Sequence, residues 1–112
     1  MIEIKMVREG DGAGVTLKAG ELCYIARDGG EELGRCIFSF DGEAVRLIDL
    51  STKNKDYAIA DGLARSAVAS LFDLAKTVVI DGEGEELTKF RDVSRLFEGN
   101  STKIESFAKT CC

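Results

Sequence analysis

The chain has 112 residues, of which 45% are apolar and 31% are charged, and this composition is typical of a single globular domain. Its net charge of −5 argues against nucleic acid or an anionic membrane surface as the main partner, because both require a basic surface. The sequence has no histidine and no apolar run long enough to cross a bilayer, which argues against the commonest general base, the usual zinc ligand sets and a membrane-spanning helix.

The first half of the chain reads as a series of strands. Residues 1–8 alternate apolar and polar side chains, which predicts a half-buried strand, and the glycine-rich residues 9–20 predict a loop. Residues 21–27 and 33–40 predict two more strands. A two-residue turn at Gly29 and Gly30 joins them, because both positions can adopt positive φ.

The chain contains four cysteines, and none lies in a C-x-x-C pair, so no metal site is expected. The register set by Gly29 and Gly30 places Cys23 opposite Cys36. The two sulfurs could bridge in an oxidising compartment, or both residues could be small apolar members of a buried face in a cytoplasmic protein. Cys111 and Cys112 are adjacent near the end of the sequence and are weak candidates for a nucleophile.

A second hairpin is predicted at Asp41-Gly42, a pair typical of a type I′ turn between alternating strands. It pairs residues 33–40 with residues 44–50 and aligns Phe38 with Val45 on one face. These strands therefore form an antiparallel meander.

A long amphipathic helix follows, and then a short apolar strand at residues 77–80. A strand, a helix and a strand of these lengths form a βαβ unit, so residues 45–50 and 77–80 should be parallel. The helix carries an apolar stripe at helical spacing: Ala58, Ile59, Leu63, Ala67, Leu71 and Leu74.

The last third predicts a second amphipathic helix at residues 85–97 and a final strand at residues 101–110. The expected fold is α+β, with a mixed, mostly antiparallel sheet and two helices in one domain, residues 1–112. Gly62 lies inside the first helix, where a neighbouring strand or a ligand would explain the need for a small residue.

This order of elements resembles the GCN5-related N-acetyltransferase (GNAT) family. In that family the fourth strand of a meander runs through a phosphate-binding loop into a long helix. The family motif is Arg or Gln, two residues, Gly, one residue, and Gly or Ala. Counted from Leu50, the matching positions are Lys55, Asp56, Tyr57, Ala58, Ile59 and Ala60. Lys55 and Ala58 depart from the motif, and Ala60 fits it.

The resemblance implies that the chain binds acetyl-CoA or another acyl-CoA and that it acts as an N-acetyltransferase on an amine. The helix start would bind the pyrophosphate through free N–H groups and the helix dipole, with Lys53 and Lys55 adding positive charge. The alternative is a helix that caps itself through Asp56, whose carboxylate would accept the same N–H groups. The implied cofactor-binding residues are Leu50, Lys53, Lys55, Asp56, Tyr57, Ala58, Ile59 and Ala60.

Acetyl transfer needs a base for the amine and an acid for the leaving thiolate. Asp49 is the carboxylate nearest the expected thioester, although it also fits a solvent-facing strand position. Tyr57 and Tyr24 are candidate acids, although each could instead pack its ring on the sheet. The family's tyrosine on the later helix has no counterpart within residues 85–97.

Three readings of the function stay open: an acyl-CoA-dependent transferase, a non-catalytic binding module with the same fold, and a small structural or regulatory domain. The family's two helices between the first and second strands have no counterpart here. Their absence would expose apolar residues and strand edges, so a homodimer is expected in the second reading. We expect a cytoplasmic protein with no nucleic-acid or membrane partner.

Overall fold

The computed structural model describes residues 2–7 and 17–108. It contains six strands: β1 (Ile2–Val7), β2 (Glu21–Asp28), β3 (Glu31–Phe40), β4 (Ala44–Thr52), β5 (Thr77–Ile80) and β6 (Ser101–Lys103). The helices are α1 (Tyr57–Ser70), α2 (Glu85–Ser94) and the short α3 (Glu105–Ala108), and a 3₁₀ turn at Lys53–Lys55 connects β4 to α1. Most of the predicted loop at residues 9–20, together with Cys111 and Cys112, lies outside the described residues.

The six strands form one sheet in which the spatial order is the order along the chain. Strands β4 and β5 are parallel, and every other neighbouring pair is antiparallel. The predicted βαβ unit and the mixed, mostly antiparallel sheet are therefore confirmed. Strands β1 and β6 form the two edges.

The main core lies between the sheet and the helices α1 and α2. Three alanines of α1 that face the sheet, Ala60, Ala64 and Ala67, are at most 1% exposed, so this helix lies close to the strands. A smaller cluster lies on the opposite face of the sheet, around Cys23 and Ile25. Both are at most 1% exposed, so the central part of this face is covered, contrary to the exposure that the missing helices suggested.

The turn between β2 and β3 has the predicted two residues, Gly29 at φ 59° and Gly30 at φ 92°. The predicted register is nevertheless wrong beyond it, because a β-bulge between the pairs of Arg27 and Ala26 adds one residue, Leu33, to β3. Cys23 consequently faces Ile37, and Cys36 faces Tyr24. A one-residue shift moves a side chain to the other face of a sheet, so the two cysteines lie on opposite faces.

Both of these cysteines are buried free thiols. Burial raises the pKa of the Cys36 thiol, and burial likewise raises the pKa of the Cys23 thiol. Neither thiol forms a reactive thiolate at neutral pH, so both act as small apolar core residues.

The connection between β3 and β4 is wider than the predicted two-residue turn. Phe40 faces Val45 and Phe38 faces Leu47, so next to the turn the register slips by two residues and these side chains keep their expected face. A bulge at Ile48 shifts the pairing by one more residue, so Cys36 faces Leu50. The Asp41 carboxylate accepts hydrogen bonds from the backbone N–H groups of Glu43 and Ala44 at 2.9 and 2.8 Å. These bonds, with one from Arg46, lower the pKa of Asp41 to about 2.

Helix α1 is shorter than predicted. It ends at Ser70, and the N–H of Leu71 donates a hydrogen bond to the carbonyl of Val68, three residues earlier. Leu74, predicted on the apolar stripe, is therefore 65% exposed. Gly62 contacts a strand, because a Cβ there would lie 3.3 Å from Cδ1 of Ile4.

The C-terminal third also differs from the prediction. Helix α2 ends at Ser94 rather than at residue 97, because Arg95 adopts a left-handed conformation with φ 58°. Strand β6 stops at Lys103, and a helical turn replaces the rest of the predicted strand. Ile104 and Phe107 are both buried, and their three-residue spacing favours a helix over a strand.

Within the described part of the chain, no helix is long and apolar enough to cross a membrane. The same residues contain no group of three or more side chains arranged to bind a metal ion.

Candidate functional site

Two helices begin at the same end of the sheet, where the parallel strands β4 and β5 end. Strand β5 stops at Ile80, opposite Leu47, whereas β4 continues to Thr52. The last residues of β4 therefore have no strand partner on the β5 side in the described structure. Ligands of open sheets that contain parallel strands bind outside the carboxyl ends of those strands, so this end is the first place to look for a site.

The connection from β4 to α1 is a tight turn held by Thr52. Its hydroxyl oxygen accepts a hydrogen bond from the N–H of Asp56 at 2.7 Å. Inside the turn, Asn54 has φ 64° and Lys55 has φ 52°. Positive φ is uncommon for residues other than glycine and costs about 1 kcal/mol or more at a lysine. The surrounding bonds must therefore hold this conformation in place.

Asp56 is the N-cap of α1. Its carboxylate accepts hydrogen bonds from the N–H groups of Ala58 at 3.0 Å and Ile59 at 3.3 Å. The structure thus has the self-capped helix start that the sequence offered as the alternative to an open phosphate site. A phosphate at this position would have to share or replace the Asp56 bonds.

Both lysines of the turn are paired with carboxylates from other elements. The ammonium of Lys53 lies 2.6 Å from a carboxylate oxygen of Glu31, and that of Lys55 lies 3.1 Å from one of Glu85. All four side chains are more than half exposed. Exposed pairs of this kind contribute little to stability, so either lysine can exchange its carboxylate for another anion at low cost.

Glu86, in the first turn of α2, binds the end of β4. One carboxylate oxygen accepts a hydrogen bond from the backbone N–H of Thr52 at 3.0 Å, and the other accepts one from the hydroxyl of Thr52 at 2.6 Å. Glu86 therefore occupies a backbone donor of β4 beyond the end of β5. Bonds to an ionised carboxylate are among the stronger hydrogen bonds of a protein.

Tyr57 and Lys89 lie on either side of a small pocket between the two helix starts. The Lys89 ammonium is 5.7 Å from the centre of the Tyr57 ring, a cation–π distance. Burial, followed by the negative charge of Asp61, raises the pKa of Tyr57, so its hydroxyl is protonated at neutral pH. The pocket has a volume of about 50 Å³, which accommodates water but not a cofactor arm.

The other predicted binding residues differ in accessibility. Ala58 is exposed and Ile59 is half-buried against the core, whereas Ala60 is 1% exposed. Leu50 is 2% exposed, so only its backbone could contact a ligand. The small side chain at Ala58 therefore leaves the helix start open, and that at Ala60 lets α1 approach the sheet.

The two candidate catalytic residues lie on opposite sides of the sheet. Asp49 faces Ile37, which packs on the Cys23 side. Tyr57 packs on the main core, on the α1 side. Tyr24, the other candidate acid, stacks on Phe38 at 5.7 Å between ring centres, so it has the packing role suggested as the alternative.

Sequence reasoning missed the residues of this site that come from other elements. Glu85, Glu86 and Lys89 belong to α2, and Glu31 belongs to β3. The sequence could have indicated the residues from α2, because helices that follow neighbouring parallel strands begin at the same end of a sheet. Residues just after β5 should therefore meet residues just after β4.

The fold is that of known acetyltransferases. A ribosomal-protein-alanine N-acetyltransferase from Brucella melitensis biovar Abortus 2308 matches with a TM-score of 0.71 and 12% identity over 88% of this chain and 94% of that chain. YhhK from E. coli bound to coenzyme A matches with a TM-score of 0.66 and 13% identity over 92% and 98%. A GNAT family acetyltransferase from Elizabethkingia anophelis with acetyl-CoA bound matches with a TM-score of 0.62 and 15% identity over 87% and 78%.

No protein-family model matches the sequence, and no curated protein sequence matches it. The similarity is therefore structural, and it spans nearly the whole of the first two chains. The chain has the GNAT fold, as the order of its elements predicts.

Proposed function

We propose that this protein binds an acyl-CoA at the end of the sheet where α1 and α2 begin. The observation that carries the proposal is the convergence of two helix N-termini beside the last residues of β4, which have no strand partner on the β5 side. Helix N-termini favour anions, and a free strand edge offers backbone donors and acceptors to an amide-containing ligand arm. The E. coli and Elizabethkingia structures, which share the fold, were solved with coenzyme A and acetyl-CoA.

In this proposal the pyrophosphate binds at the start of α1. Lys53 and Lys55 would leave Glu31 and Glu85 and turn to the phosphate oxygens, an exchange of one exposed ion pair for another. The N–H groups of Ala58 and Ile59 would then bond to phosphate rather than to Asp56. Because each lysine and each N–H group exchanges one anionic partner for another, the number of charge-assisted bonds at the helix start is preserved.

The amide-rich arm of the cofactor would follow the last residues of β4. Glu86 holds the N–H of Thr52 in the present structure, and the pocket beside it is small. Entry of the arm therefore requires Glu86 to release Thr52. We expect this release to reduce the affinity for acyl-CoA, since the Thr52 N–H exchanges a bond to a charged carboxylate for a bond to a neutral amide.

The Lys55–Glu85 pair provides the sharpest test of the phosphate site. K55A and E85Q break the same ion pair, but they change the local charge in opposite directions. We expect K55A to weaken acetyl-CoA binding about fivefold, and E85Q to strengthen it about threefold, when measured by isothermal titration calorimetry. ATP serves as the control ligand. K103A, on β6 at the opposite end of β5, serves as the control variant.

A purely structural pair would give a different pattern. The two variants would then change stability alike and leave acetyl-CoA affinity unaltered. Equal affinities for wild type, K55A and E85Q would contradict the phosphate site at α1, as would a comparable loss in K103A.

Transfer of the acyl group to an amine is the second part of the proposal. The amine nitrogen would attack the thioester carbon, a C–N bond would form, and the C–S bond would break with release of the thiolate. Asp49 would accept the proton of the amine, and water would protonate the thiolate. What favours Asp49 is its position on the part of β4 that extends beyond β5, beside the loop that follows β5, where Gly84 lies close to its carboxylate.

Thiol release from acetyl-CoA in the presence of a peptide with an amino-terminal alanine measures this reaction. We expect D49N to bind acetyl-CoA with wild-type affinity and to release thiol at least 100-fold more slowly. Wild-type protein that binds acetyl-CoA without amine-dependent release from this peptide or from free lysine would instead support the non-catalytic binding module.

We also propose that the protein is cytoplasmic. Buried cysteines that serve as small apolar core residues are common in cytoplasmic proteins, and Cys23 and Cys36 are of this kind. Self-association is a separate proposal and concerns the edge strand β1.

A further inference from the structure

Strand β1 forms the edge of the sheet farthest from β6. It pairs with β2 on one side, and no strand pairs with its other side in the described part of the structure. Among the described residues, four large apolar side chains are exposed, and two of them, Ile2 at 50% and Met6 at 36%, belong to this short strand. An edge with free backbone groups and exposed apolar side chains can pair with a further strand.

We propose that β1 pairs with β1 of a second copy of this chain, antiparallel and symmetric about Ile4. This register places Ile2 opposite Met6 of the second copy and Ile4 opposite Ile4. It also places Glu3 of each copy opposite Lys5 of the other, which gives two pairs of opposite charge. The two sheets would become one continuous sheet across a two-fold axis.

Charge complementarity selects this register. In an antiparallel pair, facing residues are either both hydrogen-bonded or both not, so symmetric registers differ in steps of two residues. A two-residue shift from the Ile4-centred register in one direction places Glu3 opposite Glu3, and the same shift in the other direction places Lys5 opposite Lys5. Like charges that face each other destabilise a strand pair, whereas opposite charges stabilise it. Only the register centred on Ile4 gives two opposite-charge pairs and no like-charge pair.

The side chains of β1 are already divided between the two faces as this register requires. Glu3 and Lys5 lie on one face, where they are 59% and 74% exposed and pair with each other at 3.2 Å. Ile4 lies on the other face, against α1 at Gly62, and Ile2 and Met6 share that face with it. In the dimer, the six apolar side chains of the two strands form one row beside α1 of each copy.

The charges and the apolar row have different roles. Exposed ion pairs add little affinity, so Glu3 and Lys5 determine which register and which partner are accepted. Burial of Ile2 and Met6, together with the new backbone hydrogen bonds, provides the attraction. A six-residue strand is a small interface, so we expect dissociation in the micromolar range.

A charge-swap series measured by analytical ultracentrifugation tests the proposal. Wild type should sediment as a dimer at high micromolar concentration, with twice the 12.1 kDa mass of the chain. E3K gives a chain with two cations at these positions, and K5E gives one with two carboxylates. Each variant alone should therefore dissociate at least about tenfold more readily than wild type.

The mixture is the decisive measurement. E3K and K5E chains should pair with each other, because each then faces opposite charges, and the double variant E3K/K5E should regain wild-type association to within about threefold. Recovery in the mixture also shows that neither variant is simply unfolded. E83K, a charge reversal in an exposed loop, is the control and should not alter association.

Three results would overturn the proposal. They are a monomeric wild type at several hundred micromolar, single variants that associate as wild type does, and a mixture that associates no better than its components. The last result with a dimeric wild type would mean that a different surface joins the copies. A monomer that binds an extended peptide along β1 would assign the edge to another protein.

Discussion

Helices α1 and α2 begin side by side at the same end of the sheet, yet their first turns are stabilised in opposite ways. Helix α1 has an N-cap of its own, because the Asp56 carboxylate accepts two of its backbone N–H groups. Helix α2 has Gly84 at the same position and no side-chain cap. Instead, its first-turn residues Glu85 and Glu86 reach across to Lys55 and Thr52.

This difference shows how the two helix starts depend on each other. The start of α1 is locally complete, whereas that of α2 is joined to the β4–α1 turn through its glutamates. The carboxylates of α2 therefore occupy the groups that an anionic ligand would use. In the proposed complex, acyl-CoA replaces the bonds from α2 to the turn and the cap bonds from Asp56, and α1 stays helical.

The largest expected effect comes from separating α2 from β4. A Cβ at Gly82 would overlap the carbonyl oxygen of Ile48, so G82A should displace the loop before α2 and lower the free energy of unfolding by about 2 kcal/mol or more. G84A is the matched control, because its Cβ would have an ordinary contact, 3.8 Å from Asp49. It should cost less than about 1 kcal/mol in urea denaturation. Equal losses in the two variants would contradict the close approach of this loop to β4.

Removal of Glu86 tests the link from α2 to the turn directly. E86A should lower the free energy of unfolding by about 1.5 kcal/mol, because it removes two charge-assisted bonds to Thr52. It should also increase acetyl-CoA affinity, since the N–H of Thr52 becomes free. E86Q should recover part of the stability, because its amide oxygen can still accept from that N–H. A less stable E86A with unchanged affinity would place the cofactor arm elsewhere.

The cap of α1 should show the smallest effect on stability. D56A should lower the free energy of unfolding by about 1 kcal/mol, and D56N should lower it by only a few tenths, because asparagine caps a helix as well as aspartate does. Both variants remove a negative charge from the proposed phosphate site and should strengthen acetyl-CoA binding roughly threefold. A loss of affinity in D56N, measured by calorimetry, would mean that the carboxylate itself contributes to the ligand site.

The sequence was sufficient to predict the architecture, because periodicity is local. The strand–helix–strand unit, the parallel pairing of β4 and β5 and the bounds of β5 all followed from apolar spacing. The register of the meander did not follow, because the β3–β4 turn is wider than two residues and because two bulges each insert one residue where the pattern stays apolar: one in β3 after the first turn, and one at Ile48. A bulge preserves hydrophobicity while it changes the pairing, so composition alone does not reveal it.

In the candidate site too, the local contacts could be predicted from the sequence and the long-range contacts could not. The cap at Asp56 was visible in the sequence because an N-cap bonds to residues two and three positions further on. The partners of Lys53, Lys55 and Thr52 lie between 22 and 34 residues away along the chain. Such pairings depend on how β3, β4 and α2 meet in space, which periodicity does not specify.

The most direct test of acyl-CoA binding at this end of the sheet is a titration of acetyl-CoA into ¹⁵N-labelled protein, followed through the backbone amide resonances. Acyl-CoA binding here predicts saturable shifts at residues 50–60 and 84–89, with the amides of Ala58, Ile59 and Thr52 among the most affected and those of β1 unchanged. Saturable shifts elsewhere with no change at residues 50–60 would contradict it. So would unchanged spectra at millimolar acetyl-CoA.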